Sequence, residues 1–405
     1  MYSKNNLLNS VLLAGMALSS IALAGDSAPP EPEPAKCALS LGGLSFPISY
    51  TGETIGNVSG GYRRGATYEG LLNIGVQGDL EKLLGWQGGS FLVSGINTHG
   101  SSATDKYTRD FNAVSNIDAY DTTRLYEAWF QQDLGPWSIR LGQILADAEF
   151  FVSDSSAVFI NGAFGAIPLI SQNYGAPVYP TAAPGARVRY TFNDAFSVQA
   201  GIFDGNAGDQ GGDNKYGTYW KWDGNDGALA IVEGAYTTKL GSDGLTGTYK
   251  LGAFYFRSDE TDLFPKEGRR DSGGGYFIAD QQVWREPGAE DQGMSAFLRI
   301  GGAPSDRALV PFYFDTGVNY KGLLPGRDGD ITGLGFSYTR ISSEARNDDG
   351  SALEGHHEGI LELTYKIQAT EWMTVQPDLQ YIFNPGATGK QENAFVAGVR
   401  FNVSF

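Results

Sequence analysis

Apolar and polar side chains alternate along this chain with a period of two, most regularly at its end. Phe395, Ala397, Val399, Phe401, Val403 and Phe405 share one face of an extended segment. Val396, Gly398, Arg400, Asn402 and Ser404 share the other. Successive side chains of a strand point to opposite faces, so this segment predicts a strand with one apolar face. The pattern recurs upstream. Leu361, Leu363, Tyr365 and Ile367 oppose Glu362, Thr364, Lys366 and Gln368. After a tight turn at Ala369-Thr370-Glu371, Met373, Val375, Pro377, Leu379 and Tyr381 oppose Thr374, Gln376, Asp378 and Gln380. Val188, Tyr190 and Phe192 alternate with Arg187, Arg189 and Thr191; beyond a turn at Asn193-Asp194, Phe196, Val198, Ala200 and Ile202 alternate with Ser197, Gln199 and Gly201. Trp137, Ile139 and Leu141 oppose Ser138, Arg140 and Gly142. Tyr68, Leu72, Ile74 and Val76 oppose Glu69, Asn73 and Gln77, and Phe314, Val318 and Tyr320 oppose Asp315 and Asn319. About fourteen such segments follow Thr67, with one or two more between Leu39 and Gly60, separated by Gly, Asn and Asp clusters. Alternation does not assign faces where Lys250 and Arg257 flank Phe254 and Phe256.

The polar faces carry Arg, Lys, Glu and Asp. A soluble sandwich could turn such a face to bulk water. A barrel in a membrane turns it to an aqueous lumen, and a basic residue on its lipid face would cost roughly 2–4 kcal/mol at the bilayer midplane. Segregation of charge to one parity is what that penalty would produce. No segment approaches about 18 consecutive apolar residues, which argues against a helical membrane protein. The expected fold is all-β: a transmembrane antiparallel β-barrel of about 16 strands. Short turns would lie at the periplasmic end. The long connections Thr98–Asp121, Ile144–Gly185 and Asp259–Gln292 would lie outside or fold inward as a constriction. Within 154–174, Ala157-Val158-Phe159-Ile160 and Ala166-Ile167-Pro168-Leu169-Ile170 favour a packed inward loop over a partner interface.

The ends of the chain add an address. Residues 1–24 predict a cleavable signal peptide: Lys4, an apolar run Val11 to Leu23, and Ala22-Leu23-Ala24 as the cleavage site. Residues 25–38 form a Pro- and acid-rich periplasmic linker, and 39–405 the barrel domain. A secretion signal at one end and an apolar-out strand closing on Phe405 at the other predict an outer-membrane barrel, surrounded by lipid and lipopolysaccharide. Phe405 would be read by the barrel-assembly machinery. The single cysteine, Cys37, permits no intramolecular disulfide, and Pro34-Ala35-Lys36 before it is not a lipobox. A formal charge of −17 argues against a nucleic-acid partner. The 56 glycines suit tight turns and crowded barrel interiors.

Short pieces along most of the chain carry a resemblance. They include Tyr50-Thr51-Gly52-Glu53, Asp79-Leu80-Glu81-Lys82-Leu83, Gly85-Trp86-Gln87-Gly88-Gly89 and Glu127-Ala128-Trp129-Phe130-Gln131-Gln132. Arg140-Leu141-Gly142-Gln143, Asp147 and Glu149-Phe150 follow. Later come Gly201-Ile202-Phe203-Asp204-Gly205-Asn206, Asp280-Gln281, Trp284-Arg285, Gly322-Leu323-Leu324-Pro325-Gly326-Arg327 and Asn384-Pro385-Gly386. With these the chain resembles the OprB-type carbohydrate-selective porins of Gram-negative outer membranes. The resemblance implies a 16-stranded barrel passing monosaccharides, glucose in particular, by facilitated diffusion.

A sugar-selective pore needs paired acidic and basic hydrogen-bonding groups, an aromatic surface, and binding weak enough for release. Residues of lumen parity that could supply these are Glu69, Glu127, Trp129, Arg140, Arg187, Arg189, Arg299 and Asp315. Arg187 and Arg189 lie two apart, so both point inward if either does. The bland alternative is a ladder of charges holding the inward loop to the wall, the favoured reading for Glu362, Lys366, Asp378 and Arg400. Gly355-His356-His357-Glu358 lacks a third metal ligand, and Asp223-Gly224-Asn225-Asp226-Gly227 lacks the EF-hand spacing, leaving at most a loosely held cation. No cofactor is called for. Three rival classes remain: a general or acidic-solute porin, a barrel enzyme drawing on His99, His356 or His357, and a secreted β-rich binding protein. The outward faces are too uniformly apolar to mark a subunit interface, so the oligomeric state is left open.

Overall fold

The computed structural model describes residues 39–207, 212, 214–221, 227–257, 271–289, 291–345 and 357–405. The signal peptide, the linker, Cys37, His356 and Asp223–Asp226 lie outside the described residues. A short hairpin, β1 (Leu39–Leu41) and β2 (Leu44–Phe46), precedes sixteen long strands. These are β3 (Ile48–Gly61), β4 (Gly65–Asp79), β5 (Gly89–Gly100), β6 (Thr122–Leu134), β7 (Trp137–Ile144), β8 (Ala183–Asn193), β9 (Phe196–Asp204) and β10 (Ala228–Leu240). They continue as β11 (Leu245–Arg257), β12 (Ser272–Arg285), β13 (Gly293–Gly302), β14 (Phe312–Lys321), β15 (Ile331–Arg340), β16 (His357–Thr370), β17 (Met373–Phe383) and β18 (Glu392–Ser404). Each long strand pairs antiparallel with its chain neighbours, and β18 pairs with β3, with Arg400 opposite Glu53. The sheet therefore closes on itself and keeps no long unpaired edge.

Burial follows the alternation. On β16, Leu361 and Leu363 are 40% and 46% exposed, while Glu362 between them is fully buried. Val188 is exposed and Arg187 buried; Val399 is exposed and Arg400 buried. The apolar residues face out of the barrel and the charged residues face in. The tight turns after β6, β8, β10 and β16 lie at the end that carries Ile48 and Phe405. Exposed aromatics collect there. Trp137 packs edge-on to Tyr190 at 4.6 Å, and Trp372 stacks on Phe405 at 6.0 Å. Such a belt fits a membrane–water interface, where an apolar ring with a polar tip is at home. At the same end, α1 (Leu80–Leu84) is capped by Asp79, whose carboxylate accepts from the Lys82 backbone N–H at 3.1 Å. Gly85, at φ 74°, ends the helix in the left-handed conformation.

Two expectations change, and one open stretch is assigned. The span Asp259–Gln292 is not one long connection, because it contains β12. Gly273, Gly274 and Gly275 hid that strand: they carry no side chains to alternate. A Cβ at Gly274 would meet the Gly302 carbonyl at 2.3 Å and the Phe254 ring at 2.5 Å. The undecided stretch on β11 resolves with Lys250, Phe254 and Phe256 facing inward and Leu251, Tyr255 and Arg257 outward. Phe254 and Phe256 line an inner wall that is apolar because the inward loop packs on it. The outward face is also less uniform than expected. Tyr50, Tyr68, His99, Asn97 and Thr123 form a hydrogen-bonded chain across the outside of β3–β6.

Candidate pore wall and constriction

Among the described residues, two connections fold into the barrel. The larger, 145–182, carries α2 (Ala146–Glu149) and α3 (Pro168–Ser171) and crosses the interior to the far wall. Its apolar runs are buried as expected. Phe159 and Phe164 pack in a tilted pair at 4.6 Å and meet Phe297 of β13, while Ile167, Leu169 and Ile170 join Phe254, Phe256 and Tyr276 in one cluster. Burying this loop leaves backbone groups that water cannot reach, and each needs a partner. Inward polar side chains of the wall supply them. Glu362 accepts from the N–H groups of Ile160 at 2.6 Å and Asn161 at 2.9 Å. Asp280 accepts from the Ser155 N–H and the Ser153 hydroxyl, and Glu233 from the Phe151 N–H. Lys250 donates to the Val152 carbonyl and Gln376 to the Val158 carbonyl, both at 2.8 Å.

Arg299 and Asp315 sit opposite each other on β13 and β14. The guanidinium donates to the carboxylate at 2.5–3.0 Å and reaches the Gly165 carbonyl at 2.9 Å and the Ala163 carbonyl at 3.3 Å. The pair is buried and ties the loop to the wall. The second connection, 101–121, is held in the same way. Glu69 accepts from the Ala103 N–H, and Glu358 accepts from the N–H groups of Phe111, Asn112 and Gly386. Arg400 is paired with Glu53 at 2.6 Å and touches the Ser115 hydroxyl.

The wall formed by β6–β9 is different. Arg140 and Arg187 stand directly opposite on β7 and β8, and like charges so placed repel. Glu149 at the end of α2 projects between them. It binds Arg140 Nη1 at 2.6 Å and Arg187 Nε at 2.8 Å, with Arg189 Nη2 3.9 Å away. Gln131 accepts from both Arg140 and Arg187, and Gln199 accepts from Arg189 while donating to Glu233. Burial pushes the Glu149 carboxyl up, but the three guanidiniums outweigh it and hold the group below its ordinary value. Asp147, two residues earlier on the same helix, has the opposite fate. Burial pushes it up to about 7, outweighing the Tyr179 backbone N–H that favours the charged form. Asp147 lines a small cavity with Asn116, Ser153, Phe151, Phe164 and Arg299, between the two inward loops and the wall.

Trp129 faces inward from β6 but is only 8% exposed, and the Arg140 guanidinium lies 3.8 Å from its ring centre. Glu127 is half-buried beside it, at a bulge where Val93 pairs with Ala128 and Gly95 with Leu125. The eight sequence-selected residues thus divide. Arg140, Arg187, Arg189, Trp129 and Glu127 gather on one wall. Arg299 and Asp315 anchor the large loop on the other, and Glu69 anchors the 101–121 loop. Sequence reasoning missed Glu149, Gln131, Gln199, Glu233, Asp280 and Glu358. Gln131 shares the parity of the chosen Trp129 on its strand, a usable signal, and Gln199 pairs across strands with Arg189. Glu149 sits in a loop, where no alternation gives its direction.

A closed sixteen-stranded barrel with an apolar outer belt, a charged interior and a loop folded into its lumen is a porin, and porins reside in the outer membrane. Residues 63–405 match the carbohydrate-selective porin, OprB family, and the chain belongs to that family. It is 26% identical to Porin B of Pseudomonas aeruginosa, over 90% of this chain and 88% of that one. It is 24% identical to a putative porin, QuiX, of Acinetobacter baylyi, over 90% and 89%. The high-pH structure of Pseudomonas putida OprB superposes with a TM-score of 0.81 at 26% identity, covering 90% of this chain and 94% of that chain. The family is one of channels, not of enzymes.

Proposed function

We propose that this porin passes monosaccharides of the glucose type into the periplasm by facilitated diffusion. The carrying observation is the wall of β6–β9, where Arg140, Arg187 and Arg189 surround Glu149 and two glutamines. Fixed donors and acceptors of both signs suit a neutral polyol, which can donate and accept along its whole rim. A channel with one dominant charge would favour ions instead. Each contact can be exchanged for the next, so no single site holds the sugar tightly. The end with tight turns and Phe405 faces the periplasm, and the folded loops hang from the outer end. Export follows cleavage near Gly25, with Phe405 presented to the assembly machinery.

Reconstitution tests this. Proteoliposomes should swell in glucose faster than protein-free vesicles, and glucose should reduce the KCl current through single channels in planar bilayers. Swelling no faster than empty vesicles would overturn the reading. A current indifferent to sugar would favour a general porin.

A further inference from the structure

The hairpin β3–β4 ends, at the side of the barrel that carries the inward loops, in a turn fixed from below. Gly60 and Gly61 take left-handed φ values of 67° and 59°. The buried Asn57 amide donates to the Gly60 carbonyl at 2.7 Å and to the Arg63 carbonyl at 3.0 Å. The 101–121 loop seats on the same turn. The N–H groups of Tyr62 and Arg63 both donate to the Tyr107 carbonyl, at 2.9 and 3.0 Å, and the Tyr107 hydroxyl donates to the Ala66 carbonyl at 3.2 Å.

This junction gathers four exposed cations: Arg63 and Arg64 from the turn, Lys106 and Arg109 from the loop. Two are held in place. Arg63 Nε donates to the Lys106 carbonyl at 2.7 Å. Arg109, left-handed at φ 50°, lays its guanidinium 3.4 Å from the centre of the Tyr62 ring. Among the described residues, none of the four forms an ion pair, although Asp105 adjoins Lys106 and Glu392 pairs across from Gly61. Exposed bases elsewhere do find carboxylates, Lys82 in Asp79 and Arg307 in Asp306. In a chain of net charge −17, four unpaired cations fixed at one place are set for an anion from outside the chain. Below them the outward face of the hairpin exposes Val58 and Tyr68. The cluster therefore stands where the hydrocarbon of the leaflet gives way to its headgroups, and in the outer leaflet those are the phosphorylated sugars of lipopolysaccharide.

We propose that Arg63, Arg64, Lys106 and Arg109 form a docking site for the phosphates of a lipopolysaccharide molecule on the outer rim of the barrel. A guanidinium offers paired N–H donors to phosphate oxygens, and the lysine adds a point charge. Two of the four belong to the 101–121 loop, so the bound lipid also braces that loop against the wall. The site rests on the orientation given above, with the inward loops at the outer end, and is independent of which solute passes.

The test titrates the full-length porin, refolded in detergent, with purified lipopolysaccharide. Arg64→Ala should weaken binding about 5-fold, the worth of one cation beside an anionic surface, and replacing all four cations by alanine more than about 10-fold. Heat-modifiable gel mobility should match the parent. Arg64 makes no hydrogen bond or ion pair among the described residues, so its replacement leaves the turn intact. Dephosphorylated lipopolysaccharide should bind the parent no better than intact lipopolysaccharide binds the fourfold variant. Parent affinity in both variants would overturn the site. Phosphatidylglycerol bound as tightly as lipopolysaccharide would overturn the occupant. Labelling of Ser242→Cys, in the tight turn after β10, by an impermeant maleimide on intact cells in a Cys37→Ser background would overturn the orientation and the site with it. A parent channel indifferent to glucose would overturn the transport reading and leave this one standing.

Discussion

The interior of this barrel has two walls built from similar residues for different ends. Along β10–β17, charged groups are consumed by the loop they hold: Glu362, Asp280, Glu233 and Lys250 meet backbone atoms of 145–182. Along β6–β9, Arg140, Arg187 and Arg189 meet mainly side chains, among them a single carboxylate from that same loop, although Arg187 also donates to the Ser138 carbonyl of β7. The apolar lining is shared, with Phe254, Phe256 and Tyr276 on the anchoring wall and Trp129, Ile144 and Phe203 on the arginine wall all packed in one cluster. Backbone amides buried by a loop have fixed positions and demand fixed partners. Side-chain pairs can exchange one partner for another. A charge facing a lumen is therefore not by itself a ligand-binding group; what it is bonded to decides.

The strongest way to break this distinction is at Arg299. Arg299→Ala leaves Asp315 fully buried without its guanidinium and frees the Gly165 carbonyl, while Ala163 keeps only the Tyr313 hydroxyl. Removing one member of a buried ion pair destabilises by about 3–5 kcal/mol. We expect a lower thermal transition on heat-modifiable gels, together with larger and noisier KCl currents as the loop loosens. A quiet, wild-type channel would show that the pair does not anchor it. Glu362→Ala comes next. It strands two buried N–H groups, each worth roughly 1–3 kcal/mol. Faster proteolysis within 145–182 should follow, with sugar block weakened only as far as the loop moves. Retention of protease resistance would count against the anchoring role.

The smallest effect concerns pH on the arginine wall. Glu149 is held below its ordinary value of 4.5. A depressed carboxyl contributes its stabilisation above the unfolded value and loses it as pH falls through the folded one. The contribution of Glu149 to ion selectivity should thus persist from neutral pH to about 4.5 and be lost below that range, turning the channel toward anions as three guanidiniums lose their counter-charge, whereas Asp147, pushed up to about 7, titrates above it. Glu149→Gln should show the anion-leaning selectivity already at neutral pH. Reversal potentials across a KCl gradient measure both, and identical potentials in mutant and parent at pH 7 would refute the assignment.

Much of the barrel was legible in the sequence because lipid on one side and water on the other impose a period of two on every stave. Arg187 against Val188, and Glu362 against Leu361 and Leu363, need no structure to be assigned. The strand through Gly273–Gly275 was invisible for the same reason, since glycine has no side to take. The Phe254–Phe256 stretch was ambiguous because its inner face is as apolar as its outer one. Parity could place Arg299 and Arg187 alike inside; it could not say that one is locked to Asp315 and loop carbonyls while the other shares Glu149.

The sequence by itself determined which side of the wall each residue of a regular strand faces, because that depends only on backbone pleat and solvent. Only the tertiary structure decided which inward charges are occupied. Many of those partnerships join residues more than a hundred positions apart, such as Glu362 with Ile160 and Arg299 with Gly165. They exist only once the barrel has closed and the 145–182 loop lies inside it.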